Sequence, residues 1–330
     1  MLAFGEVQTG LLQHSTPLSR ERTGEILDLV MGERVRLSDR PIAYALSPDR
    51  LHGVDCPLPT VPGSRTRAVG TVVAHATIVG GHVAQGSSYA RVTASSTTRR
   101  LAWSHYLANP GRIETIGRFR QPALVAGVLN PAEGSPALDV GAVAGRMLDT
   151  VQRSPLLDHR PAVRAPRVRL RWVAELDQSE MSGTYTIDAD DFRTLHITTP
   201  GDDLASVVAL CEDLALHDWL LTTLVSLLDS TLTSHRSRAQ KIARLQPAVD
   251  HLLHLWMPAA RVADHLAPMW EALEHRPGFS RQWEASVTRV RDQLTMSALT
   301  MLRPSGGYVD QPTGTGATVT PRRAPAGQTT

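Results

Sequence analysis

Two Asp-x-x-x-His pairs in the C-terminal half could do chemistry, Asp213 with His217 and Asp250 with His254. Residues four apart on a helix share a face. Two helices presenting such pairs to each other would hold a divalent metal, with His217 and His254 as ligands, or a histidine base oriented by a carboxylate. The plainer reading is structural. His217 is then a buried histidine satisfied by Asp213, while Asp250, His251 and His254 form a solvated face opposite Val249, Leu252, Leu253 and Trp256. The structural reading is favoured, so no metal and no cofactor are expected.

Arg167, Arg169 and Arg171 alternate with Val168, Leu170 and Trp172, and Arg160 and Arg164 lie just upstream. Such a one-sided ladder could serve as an anion strip for phosphate or nucleic acid. Asp188, Asp190 and Asp191 in the following hairpin would neutralise it by cross-strand ion pairs. With 34 basic against 32 acidic residues, the net charge is only +2, which gives no field that gathers nucleic acid.

His75, His82 and His105 could meet across a β-meander, although satisfied or surface histidines are expected. Ser104 and His105 are adjacent on an expected strand, so they point to opposite faces and make no dyad. Cys211, beside Glu212, Asp213, His217 and Asp218, is expected to be a small core residue, because buried thiols are inert. Trp219, Trp256, Trp270 and Trp283 fall in the helical half, where core packing is the expected role. GxxxxGK[ST], GxSxG, HExxH, a paired CxxC and a strand-placed GxGxxG are all absent from the sequence.

The elements that must position these groups read as α+β. A mainly antiparallel sheet domain with a few helices is expected over residues 1–199, an all-α domain over 200–303 and a disordered tail over 304–330. Leu2–Leu12 reads as a strand, Ser19 as the cap of a short helix through Met31, Pro41–Leu46 as a strand and 47–67 as loop. Arg67–Leu107 reads as three antiparallel strands, with Gly80-Gly81 as the first turn. Asp139–Val151 is a helix by spacing, followed by a strand at 167–176 and a hairpin over 183–198. Leu204–Leu232 has leucines on nearly every side, the mark of a buried helix. Helices are expected over 247–257, over 259–275 with Pro268 as a kink or a fresh start, and over 280–302.

The N-terminus has no secretory pattern, no run of about 18 apolar residues occurs, and Cys56 and Cys211 are unpaired in sequence. A cytoplasmic protein is expected. Lys241 is the sole lysine among the 34 basic residues, a bias of GC-rich bacterial genomes.

The segments GEVQTGLLQ, RPIAYALSP, LHGVDCPLP, RLAWSHYLANPG, LCEDLALHDWLLTTL, PAVDHLLHLWMP and RPGFSRQW together span most of residues 1–303. In these segments the chain resembles an actinobacterial family of conserved proteins from a small gene cluster. The resemblance implies one functional unit, and it implies a variant P-loop protein and a methyltransferase-like protein of that cluster as partners. No catalytic residues follow from it. The sequence therefore favours a non-catalytic cytoplasmic component acting through protein contacts. The alternative is a metal-dependent or acid/base enzyme with its site between the 203–232 and 247–257 helices.

Overall fold

A computed structural model describes residues 1–302 of the protein, except 61–65, 96, 98, 118, 119, 132–135, 233–237 and 277. The expected tail at 304–330 lies outside the described residues.

The elements run in chain order as β1 (Leu2–Leu11), α1 (Arg20–Leu27), β2 (Arg36–Ser38), β3 (Tyr44–Leu46), β4 (Arg50–Pro57), β5 (Arg67–Val79) and β6 (Val83–Ala94). They continue with α2 (Trp103–Leu107), β7 (Arg112–Ile116), α3 (Gln121–Leu129), α4 (Val140–Gln152), β8 (Val168–Glu175), β9 (Ser182–Ala189) and β10 (Phe192–Thr198). The last helices are α5 (Leu204–Leu232), α6 (Arg238–His251), α7 (Ala267–His275) and α8 (Phe279–Leu302).

Among the described residues, ten strands form one sheet ordered β2-β3-β5-β7-β6-β1-β8-β10-β9, with β4 also on β5 and β5 also on β6. The fold is α+β, as expected, but the sheet is mixed: β10 runs parallel to β8, and β7 parallel to β6. The expected third strand of the meander is the short helix α2. The alternation of Leu101, Trp103, His105 and Leu107 is too brief to separate period 2 from period 3.6. The place beside β6 goes instead to β7, which follows the Asn109-Pro110-Gly111 break. The expected loop 47–67 holds β4, paired with β5 from Arg50↔Ala74 to Pro57↔Arg67. Pro48 precedes this strand and Pro57 is its last residue, so neither interrupts it.

The sheet is the middle of three layers. On one face, Phe4, Ile78, Val143, Met147 and Leu148 join a core under α1, α3 and α4. On the other, Val7, Trp172 and Leu195 share a core with Leu210, Leu214 and Leu221 of α5 and with α6, α7 and α8. The passage from sheet to helices falls at residue 200, but the core is continuous across it. Each fully buried leucine or tryptophan there contributes about 1.5–3 kcal/mol. Asp203 opens α5, its Oδ1 accepting from the Ser206 N–H at 3.2 Å.

The expected 247–257 helix is divided differently. α6 starts at Arg238 and carries Pro247 inside it, and a 3₁₀ turn follows at Leu253–Leu255. Pro268 starts a fresh helix, lying in the first turn of α7.

Gly80 and Gly81 hold φ of +58° and +68° at the centre of the β5–β6 turn, which the His82 N–H closes by donating to the Val79 carbonyl at 3.1 Å. Gly86 lies under α4, and a Cβ there would fall 2.4 Å from the Ala144 carbonyl oxygen. Because the obstacle is helix backbone, Gly86→Ala is expected to lower stability by about 1–3 kcal/mol. Gly24→Ala, in α1 with nothing within 4 Å of the new methyl, is expected to raise it by about 0.5–1 kcal/mol. Denaturant midpoints of the two variants check the pair.

Candidate functional site

The α5-facing side of β5 and β6 is unusually polar for a sheet interior: His75, Thr77, Gln85 and Ser87 are all buried there. Glu212 of α5 is set against this surface, its side chain 2% exposed. Its Oε1 accepts from His75 Nε2 at 2.5 Å and from Ser87 Oγ at 2.6 Å, and its Oε2 accepts from an Arg261 terminal nitrogen at 2.5 Å. The Glu212 carbonyl accepts from Gln85 Nε2 at 2.9 Å. His75 Nδ1 lies 3.2 Å from Asp49 Oδ1, and Asp49 is half exposed. Arg261 also covers the Tyr44 ring at 4.8 Å. The result is a chain of charges, Asp49–His75–Glu212–Arg261, that starts in solvent and ends inside.

Burial alone would strip His75 of its proton. The Glu212 charge and the hydrogen bonds to Asp49 and Glu212 outweigh burial and raise it to about 9, so His75 is an imidazolium at neutral pH and both ring nitrogens donate. Burial likewise pushes Glu212 up, but His75 and Arg261 hold it well below the usual carboxylate range. Sequence reasoning named His75 and Glu212 separately and missed that they meet, as it missed Asp49, Ser87 and Arg261. The signal was present in the alternation Thr71, Val73, His75, Thr77 against Gln85, Ser87, Tyr89, a polar stripe on two paired strands.

The four residues singled out from the sequence do not form one group. Asp213 and His217 are a buried pair: His217 Nδ1 donates to the Asp213 carbonyl at 2.7 Å and lies 3.5 Å from Asp213 Oδ2, which accepts the Ala259 N–H at 2.9 Å. Burial raises Asp213 and lowers His217, so both lean to the neutral form. The His217 ring is walled by Trp256 and Trp270 at 4.9 and 5.4 Å, and Trp256 stacks on Trp283 at 4.3 Å. Asp250 is exposed and accepts from Gln246 at 2.8 Å. His254 faces a different histidine, His82, at 6.4 Å between rings, and His251 lies 4.5 Å from His82. Burial and these two histidines push His82 down to about 4. Among the described residues, no group of three or more His, Cys, Asp or Glu is placed to hold a metal ion.

Each rung of the arginine ladder has a carboxylate. Arg167 meets Asp149 at 2.6 Å, Arg169 meets Asp191 at 3.2 Å, and Arg171, buried, donates through Nε to Glu6 at 2.7 Å and reaches Asp139 at 3.4 Å. Glu6 and Arg171 are direct cross-strand neighbours. Asp218 takes Arg193 at 3.0 Å in a further buried pair. The Cys211 thiol is buried and pushed well up by burial, which makes it a poor nucleophile. His105 pairs with Glu114 at 2.6 Å, apart from His75 and His82.

Other features are open to solvent. Trp103 and Leu107, one turn apart on α2, are 37% and 57% exposed, and Leu51 of β4 is 43% exposed. The Trp103 ring lies against Gly53, two residues from Leu51 on the same strand face, with Arg100 over it at 4.9 Å. Separately, a cleft of about 450 Å³ by α3 holds Glu175, hydrogen-bonded to His196 at 3.0 Å and to Gln121 at 2.7 Å.

Compared with models of known families, with characterised proteins and with solved structures, the chain matches none of them.

Two of the perturbed histidines, His75 and His82, act on stability in opposite pH windows. His75 has a folded pKa above its unfolded value of 6.5, so its contribution is complete below pH 6.5 and is lost as pH rises to about 9. His82 has a lowered folded pKa, so its neutral form favours folding above pH 6.5 and that contribution fades toward pH 4. Stability measured by denaturant titration is expected to peak near pH 6.5 and to fall by roughly 1–3 kcal/mol toward pH 9. In His75→Gln the alkaline fall should vanish, although that variant is less stable overall by about 3 kcal/mol or more for leaving Glu212 short of a partner.

Proposed function

We propose that the protein is a non-catalytic component that acts through protein contacts, on the face built by β4 and α2. One observation carries this reading: Leu51, Trp103 and Leu107 stand exposed on adjoining elements, whereas the strongly perturbed buried groups neutralise one another inside. A poised acid or base would need reach to a substrate, and Glu212, Asp213, His217 and Asp218 are all at most 4% exposed. An aromatic anchor flanked by leucine and rimmed by arginine is the composition of an interface centre. Arg100, over Trp103 and 3.4 Å from Asp55, supplies that rim.

The resemblance to the actinobacterial family directs the partner to a variant P-loop protein or a methyltransferase-like protein of the same cluster, meeting this chain in the cytoplasm. That assignment rests on the resemblance alone, while the surface rests on exposure.

The test is reconstitution with each purified cluster product, followed by calorimetry or light scattering. One of the two is expected to bind, and Trp103→Ala and Leu107→Glu are each expected to weaken it at least about ten-fold, with melting temperatures unchanged. If neither product binds at tens of micromolar, or if both variants bind as the wild type does, the reading fails.

A further inference from the structure

A cavity of about 400 Å³ opens where the β5–β6 turn, β2, β3, the start of α1 and the segment 254–257 meet. That size is within the range of small-molecule sites. Its walls are chiefly apolar, with Leu37, Ile42, Ile78 and Met257 contributing from four different segments. Leu37 and Met257 are also among the large apolar side chains left exposed, at 37% and 41%. Surface left open in this way is stabilised by an apolar occupant that displaces water from it.

The arginine and the carboxylate of the lining lie together. Arg20, the first residue of α1, lines the cavity and is paired with Asp39, which also lines it; both side chains are more than half exposed. A guanidinium carries five donors in a planar fork. Asp39 is bonded to one terminal nitrogen of Arg20, which leaves the rest of the fork for a second acceptor. An exposed ion pair is itself worth only about 0–1 kcal/mol, so a ligand carboxylate competes for Arg20 at little cost.

We propose that this cavity is a binding site for a small amphipathic carboxylate, its apolar body against Leu37, Ile42, Ile78 and Met257 and its head group on Arg20. The site is independent of the β4–α2 surface, since it shares no wall with Leu51, Trp103 or Leu107. The occupant has one charged end because Arg20 is the only arginine or lysine among the described lining residues, and an apolar body because, apart from Asp39, Thr23, Ser38, Tyr44 and His254, the remaining lining side chains are apolar. A phosphate or a sugar would leave its oxygens facing leucine and isoleucine, which is costly.

Decanoate and decanol serve as probes, titrated into the full chain by calorimetry and followed by ligand-detected NMR. Decanoate is expected to bind saturably with one site, and more tightly than decanol. Arg20→Leu, at an exposed position, should weaken decanoate at least about ten-fold, the loss of a charge-assisted hydrogen bond, and leave decanol within two-fold. Met257→Trp, which fills the cavity from its rim, should weaken both probes with an unchanged melting temperature. The proposal is overturned if wild-type protein shows no saturable decanoate binding. It is equally overturned if Arg20→Leu binds decanoate as the wild type does, or if Met257→Trp binds both probes unchanged.

Discussion

A carboxylate buried against a β-sheet sets the terms for the rest of this molecule. Taking Glu212 out of water costs several kcal/mol, and mutual attraction offsets that cost only when partners and geometry are complete. Completing them requires three separate parts of the chain. β5 must present His75, β6 must present Ser87 and Gln85, and the segment after the 3₁₀ turn must come back over α5 to deliver Arg261. Sliding α5 along the sheet by a turn would part Glu212 from all of these partners. Leucine burial holds the helix down, and the charges choose where.

The opposite face repeats the device in a simpler form. Glu6 sits in the middle of β1, opposite Arg171 of β8, and α4 crosses directly above it. Gly141 is what lets the helix pass, since a Cβ there would be 2.5 Å from either Glu6 oxygen. Gln8, two residues along, donates to Glu6 at 3.0 Å and to the Gly141 carbonyl at 2.8 Å. Each face of the sheet thus carries a buried acid that fixes the register of the helix covering it, and on the α5 face the buried Asp218–Arg193 pair adds a second tie. The cores around them supply most of the stability, and the ion pairs supply specificity of placement.

This arrangement explains what was legible in the amino-acid sequence. The burial of α5, the strand β1, the Gly80-Gly81 turn and the helix α4 follow from periodicity and turn chemistry, which are local. β4 was hidden because its flanking prolines and Gly53 look like loop punctuation, and its pairing with β5 is a tertiary fact. α2 was mistaken for a strand because seven residues are too few to separate two periods. The Asp213–His217 contact was readable from spacing. The partners of Glu212 were not, because they lie between 49 and 137 positions away, and no spacing rule reaches that far. Asp250 and His254 matched the same pattern as Asp213 and His217, yet α6 ends at His251 and turns into a 3₁₀ segment, so His254 departs from the helix that the pattern assumed.

Where the molecule is left open also follows from the layering. α5 packs on β1, β8 and β6, and α7 packs on β9, so the long helices cover one wing of the sheet. The other wing, with β2, β3, β4 and the outer part of β5, is met on that face by shorter pieces: the five residues of α2, the rim of the 253–257 segment, and Arg261 over the Tyr44 ring. Leu37, Leu51, Trp103, Leu107 and Met257, five of the large apolar side chains exposed to solvent, all lie on this lightly covered wing. Asp49, the solvent end of the buried charge chain, emerges there too. A partner or ligand bound on that wing would meet apolar surface that the fold itself does not use. The covered wing, with its acids and bases mutually paired, is the rigid base that holds this surface in place.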